Sequence, residues 1–127
     1  MDIQPRFDPQ SGLVPAVVQD DATGEVLMLA WMNQEAWNAT VEGPHAVYWS
    51  RSRKRLWTKG ESSGRYQRVT SIRLDCDFDA VLLGVEQIGA AACHTGRRSC
   101  FHNAVEEGRI RVTSEPLFDP EDVYKSK

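Results

Sequence analysis

Cys76, Cys93 and Cys100 are the only cysteines in the 127-residue chain, and each stands among residues that suit metal chemistry. Cys76 lies between carboxylates in Asp75-Cys76-Asp77-Phe78-Asp79, while the other two bracket Cys93-His94-Thr95-Gly96-Arg97-Arg98-Ser99-Cys100. A zinc ion that only braces a fold is normally closed by four protein ligands, whereas a catalytic zinc takes three and leaves one position open. Three thiolates therefore point to an open zinc site. The six residues between Cys93 and Cys100 exceed the two-residue gap of common zinc knuckles, which disfavours a structural ribbon. Isolated cysteines are often small core hydrophobes. The neighbours count against that here, because aspartates and a loop carrying His94, Arg97 and Arg98 are costly to bury.

If residues 75–79 stay extended, Asp75, Asp77 and Asp79 share one face while Cys76 and Phe78 point to the other. A hard divalent cation would offset the repulsion among three carboxylates, and oxygen donors of this kind favour magnesium. A solvated strand end is the competing reading. His94 also has two readings: a proton carrier beside a metal-bound water whose pKa falls toward about 7, or a loop hydrogen bond. His45 and His102 have weaker claims.

A second constellation suits phosphate. Ser50, Arg51, Ser52 and Arg53, then Lys59, then Glu61, Ser62 and Ser63 between Gly60 and Gly64, concentrate hydroxyls, cations and glycine-flanked amides. Residues 50–68 hold seven basic side chains and one acid in a chain whose net charge is -3, so the cationic island is local. The P-loop pattern is absent. Trp49 and Trp57 suit either a core or a stacking face for a base. An acidic pI of about 5.6 argues against a general nucleic-acid binder that relies on counterion release.

The elements that must position these groups follow from periodicity. At this length the chain is one domain. Residues 1–12 form an irregular lead-in, residues 1–105 the domain, and residues 106–127 a polar C-terminal tail, loosely attached from 114 onward. A strand over 13–18 turns at Asp20, Asp21 and Gly24 into the apolar run 26–32, whose length fits a strand buried on both faces. Asn33 caps a helix with Ala36, Trp37, Thr40 and Val41 inward, stopped at Gly43-Pro44. Further strands are expected over 46–50, 66–74 and 80–88, the basic segment 51–64 being a loop and Gly89 opening the cysteine loop. The fold class is α+β, mainly antiparallel β with one substantial helix. An odd cysteine count and the lack of a secretory-type leader point to a reducing cytoplasm. No apolar run is long enough to cross a membrane as a helix.

Taken together, Tyr48-Trp49-Ser50-Arg51-Ser52-Arg53, Leu56-Trp57-Thr58-Lys59-Gly60-Glu61, Arg73-Leu74-Asp75-Cys76-Asp77 and the segment from Cys93 to Phe101 resemble the phosphoribosyl-AMP cyclohydrolase family of histidine biosynthesis, over about residues 13–103. The resemblance implies an intertwined homodimer in which each zinc is shared, Cys76 coming from one subunit and Cys93 and Cys100 from the other. It implies magnesium at Asp75, Asp77 and Asp79, a proton shuttle at His94, and hydrolytic opening of the adenine ring between N1 and C6. The substrate would be a small nucleotide with two phosphates, held by the 50–53 and 59–63 segments with Arg97 and Arg98. Phe78 departs from the small or polar residue common in the family, and Val47 replaces a histidine. A zinc deaminase is disfavoured because His-x-Glu and Pro-Cys-x-x-Cys are missing. An RNA-binding zinc module is disfavoured by the acidic pI and the missing fourth cysteine.

Overall fold

Alternating apolar side chains from residue 14 onward specify a strand with one buried face. The computed structural model, which describes residues 3–118, forms it as β1 (Val14–Asp20), with Val14, Ala16 and Val18 fully buried. There follow β2 (Val26–Met32), α1 (Gln34–Glu42), β3 (Val47–Ser50), β4 (Arg55–Thr58), β5 (Gln67–Leu74), β6 (Val81–Gln87), β7 (Asn103–Glu106) and β8 (Arg109–Val112). Four strands make one sheet in the order β2-β1-β6-β5. Its β1–β2 and β5–β6 pairs are antiparallel and its central β1–β6 pair parallel. Two separate antiparallel hairpins, β3–β4 and β7–β8, complete an α+β fold with one helix among the described residues.

The turn between β1 and β2 is closed by Asp20, whose carboxylate accepts from the Thr23 N–H at 3.0 Å and the Thr23 hydroxyl at 2.8 Å. β2 is not buried on both faces as its apolar run suggests. It is an edge strand, with Leu29 46% exposed, and that openness becomes useful at the site. The Asn33 side chain caps α1 by accepting from the Ala36 N–H at 2.9 Å, and Ala36, Trp37 and Thr40 face inward. The Thr40 hydroxyl bonds both the N–H and the C=O of Val47, each at 3.0 Å, which ties the helix to β3. One core cluster joins β1, β2, α1, β3 and β6.

A buried polar chain then locks β3 to the sheet. The Tyr48 hydroxyl donates to Gln67 at 2.5 Å, and Gln67 donates to Gln87 at 2.9 Å. Gln87 in turn donates to the Arg65 carbonyl at 3.0 Å. Buried polar groups are tolerated when they are satisfied in this way. Burial also pushes the Tyr48 phenol up, so it stays a donor at any ordinary pH.

Two elements differ from the periodicity reading. Residues 55–58 lie in the basic loop, yet they pair with β3 as β4, because Leu56 and Trp57 pack against the core. The polar segment from Glu106 onward carries regular structure of its own before residue 114, a hairpin that Glu106 helps to form. Glu106 ends β7, and β8 pairs with β7 through Val105 opposite Ile110. Residues 119–127 of the expected tail lie outside the described residues. No helix among the described residues is long and apolar enough to cross a membrane.

The cap gives a direct stability test. Asn33→Ala should cost about 1 kcal/mol of unfolding free energy by urea denaturation, with the far-UV spectrum of the native state unchanged.

Candidate active site and metal centre

A cleft of about 1260 Å³ opens between the edge strand β2 and the β3–β4 hairpin. Residues 50–53 of the β3–β4 turn line it, and so do Lys59, Glu61, Ser62 and Ser63 just beyond β4. Trp49 and Trp57 line it too, so both tryptophans are half-buried walls. The turn is ordered from within: the Ser50 carbonyl accepts from the Lys54 N–H at 2.8 Å, and its hydroxyl accepts from the Arg53 N–H at 3.1 Å. The guanidinium of Arg51 lies 4.7 Å from the Trp31 ring centre, while Glu61 pairs with Arg55 at 3.5 Å. Gly60 closes the following loop at φ +93, with its carbonyl accepting from the Gly64 N–H at 2.7 Å.

The far end of the cleft is the cysteine loop, for Ala92, His94 and Cys100 also line it. Cys93 is buried and Cys100 half-buried, and the two thiols lie close enough for Cys93 to act on Cys100. Burial pushes the Cys100 thiol up to about 11, with Cys93 adding to the effect and the Lys59 ammonium opposing it. The Thr95 hydroxyl donates to the Cys93 sulfur at 3.1 Å. Lys59 donates to the Ala92 carbonyl at 2.5 Å. Burial lowers the lysine's pKa, against the pull of Cys100 and Cys93. His94 is exposed, and among the described residues its ring has no hydrogen-bond partner. Two adjacent, partly desolvated thiols are a donor pair that suits zinc, so the residues present fit that metal.

The third cysteine is elsewhere. Cys76 is exposed, and among the described residues the only three potential ligands within 4.8 Å of one another are Asp75, Asp77 and Asp79. The carboxylates do not meet by strand alternation, since residues 75–79 form a turn with Phe78 at φ +66. The Asp75 carboxylate accepts from the Asp79 N–H at 2.9 Å and from the Ala80 N–H at 3.2 Å, and this curls the segment. A shared hydrogen bond with Asp77, then one with Asp75 and the crowding of charge, pushes Asp79 up to about 6. Three exposed oxygens so placed fit a hard cation. Arg6 braces the turn, its N–H donating to the Phe78 carbonyl at 2.6 Å and its guanidinium to that of Asp77 at 3.2 Å.

Two residues expected at phosphate are engaged otherwise. Arg98 pairs with Asp20 at 3.1 Å and with Glu25 at 2.5 Å, tying the cysteine loop to the β1–β2 turn. Arg97 donates to the Ser114 carbonyl at 2.9 Å. Neither lines the cleft. The β2 wall, Met28 to Trp31, was not anticipated as part of the site. An uninterrupted apolar run reads as buried strand, and only its place at the sheet edge reveals it as a wall.

An anion-friendly turn, aromatic walls, paired thiols and an exposed histidine around one cleft are the layout of an enzyme site, and the comparisons agree. The family model described as phosphoribosyl-AMP cyclohydrolase matches residues 28–102, from the β2 wall through both loop cysteines. A protein of Desulfatibacillum aliphaticivorans named phosphoribosyl-AMP cyclohydrolase is 59% identical over 97% of this chain and 98% of its own. Proteins of the same name from Oleidesulfovibrio alaskensis and Desulfotalea psychrophila are 54% and 58% identical, covering 98% and 91% of this chain and 95% and 91% of their own. The chain belongs to the phosphoribosyl-AMP cyclohydrolase family.

Gly60 tests the cleft's shape. A Cβ there would collide with the Tyr66 backbone N–H and approach the Arg65 carbonyl carbon to 2.5 Å, at a φ few side chains adopt. Gly60→Ala should destabilise the fold by on the order of 1–3 kcal/mol in thermal unfolding, and should raise KM by displacing residues 61–63.

Proposed function

We propose that the protein hydrolyses phosphoribosyl-AMP in histidine biosynthesis, opening the purine between N1 and C6. The observation that carries this reading is the single cleft in which the 50–53 and 59–63 segments meet His94 and Cys100, in a chain whose relatives bear that enzyme's name. The oxygen of water joins C6, which becomes a carboxamide carbon. The C6–N1 bond breaks, and N1 keeps its ribosyl group and takes a proton.

Residues 50–53 and 61–63 bind the substrate's phosphates through hydroxyls, guanidinium groups and turn amides. Trp49 and Trp57 flank the base and limit water at the reacting face. His94, exposed in the cleft, carries a proton from the attacking water or to N1. Cys93 and Cys100 of one subunit, with Cys76 of the partner subunit, would hold zinc. A bound zinc supplies Lewis acidity that makes a nucleophile of water near neutral pH. Lys59, lodged against the Ala92 carbonyl beside both thiols, offsets the negative charge of such a ligand set. Asp75, Asp77 and Asp79 would hold magnesium.

Two features support a homodimer. Cys76 stands apart from the thiol pair it would complete, and it is exposed. The β7–β8 hairpin, which begins just past Cys100, turns Val105, Ile110 and Val112 outward at 50–75% exposure. An isolated two-stranded hairpin is marginal unless its apolar face is covered. Free thiols also favour a reducing compartment, so we place the protein in the cytoplasm.

Cys76→Ala, Cys93→Ala and Cys100→Ala should each abolish ring opening and lower the zinc content measured by mass spectrometry. Full turnover in rigorously zinc-free protein would contradict the metal's role. Co-refolding Cys76→Ala with Cys93→Ala should restore about a quarter of wild-type activity, since each mixed dimer keeps one intact site. Mixed dimers that form but stay inactive would contradict the shared site.

A further inference from the structure

Residues 114–118 read from sequence as the start of a loose tail, yet they run along the loop that carries both thiols. The Leu117 N–H donates to the Gly96 carbonyl at 2.7 Å, and Arg97 Nε donates to the Ser114 carbonyl at 2.9 Å. Gly96 is buried at φ +87, and a Cβ there would run into the Phe118 carbonyl oxygen and come within 3.4 Å of Pro116. The Phe118 ring lies 3.9 Å from the Arg65 guanidinium, and the same arginine donates to the carbonyl of Gly89, where the loop begins, at 3.2 Å. Contacts therefore grip the loop at its start and at its tip.

The gripped residues are the ones that hold Cys93. Its N–H donates to the Arg97 carbonyl at 3.1 Å, and its carbonyl accepts from the Gly96 N–H at 3.0 Å. The loop has no helix or strand of its own, and Ala90 stands at φ +66 in its first turn. A segment so short of internal support keeps one geometry only if something outside fixes it. We infer that residues 114–118 are a strap that positions the Cys93 thiol beside Cys100, and that Arg97 is a positioning residue serving this strap rather than a phosphate contact. The inference rests on the proposed reading of Cys93 and Cys100 as zinc ligands.

Groups that orient metal ligands alter affinity by roughly 10- to 100-fold when removed. The strap should act at the lower end of that range, because it orders the loop without touching the thiols. The test is cobalt(II) titration of the reduced full-length protein, followed by its thiolate-to-cobalt absorption band, with zinc competition to give the affinity. Arg97→Met removes the donor to Ser114, and Leu117→Pro removes the N–H that bonds Gly96. Each should weaken binding by about 10-fold, and Arg97→Lys should recover part of the loss. Leu117→Ala keeps the N–H of a residue whose side chain is exposed, so it should stay within about 2-fold of wild type. The double variant Arg97→Met with Leu117→Pro should lose little more than either alone, because both act through one strap.

Unchanged affinity in both single variants overturns the strap, as do losses that multiply in the double variant. If Leu117→Pro does not fold, Arg97→Met decides alone. A wild-type protein without the thiolate-to-cobalt band overturns the ligand assignment, and the strap's role with it, whereas a normal wild-type band with unaffected variants overturns the strap only.

Discussion

Holding an irregular loop against the edge of a sheet is the constraint on which the site depends. Residues 89–100 have no regular structure, but they present His94 and Cys100 at one end of a cleft, with Cys93 buried behind them. A backbone near the interior must bond its polar groups somewhere. Here the Cys100 N–H donates to the Leu27 carbonyl and the Ser99 hydroxyl to the Val26 carbonyl, each at 2.7 Å. Both acceptors lie on β2, whose outer edge is covered by no strand among the described residues. Exposed sheet edges are usually a liability. In this fold the edge anchors the cysteine loop, and Arg98 reinforces the hold through Asp20 and Glu25.

Charge is sorted with equal economy. The cationic 50–53 turn and Lys59 line the cleft, while the acidic 75–79 turn projects separately under the brace of Arg6. At the cleft's end, burial disfavours both the thiolate of Cys100 and the ammonium of Lys59, so each shift has desolvation as its main cause. A divalent cation entering there would meet soft donors, whereas one entering at 75–79 would meet oxygen only. The polar chain from Tyr48 through Gln67 to Gln87 then keeps β3, and with it the 50–53 turn, in fixed register with the sheet.

Much of this was legible in the sequence, and the failures have physical reasons. Short apolar runs bounded by turn residues located β1 and β6, side-chain parity located β5, and Asn33 with Gly43 bounded the helix. β4 was hidden because four residues flanked by arginines show too short a pattern, and because Leu56 and Trp57 owe their burial to tertiary packing. The three aspartates do lie together, but not by strand alternation: Asp75 curls the chain by accepting from Asp79 and Ala80. That turn also gives Phe78 its meaning. Phe78 stands at φ +66, where a small or polar residue would be less strained, and its ring is half exposed. Arg98 could not be read from its neighbours, because Glu25 lies 73 residues away.

The central claim is that the two loop thiols form a metal site that a second copy completes. Crystals of the zinc-loaded protein measured on both sides of the zinc absorption edge test it most directly. The account predicts an anomalous peak at bonding distance from Cys93 and Cys100 of one protomer and Cys76 of the other. A peak bound only by groups of one chain, or one at Asp75, Asp77 and Asp79 with the thiols empty, would contradict it.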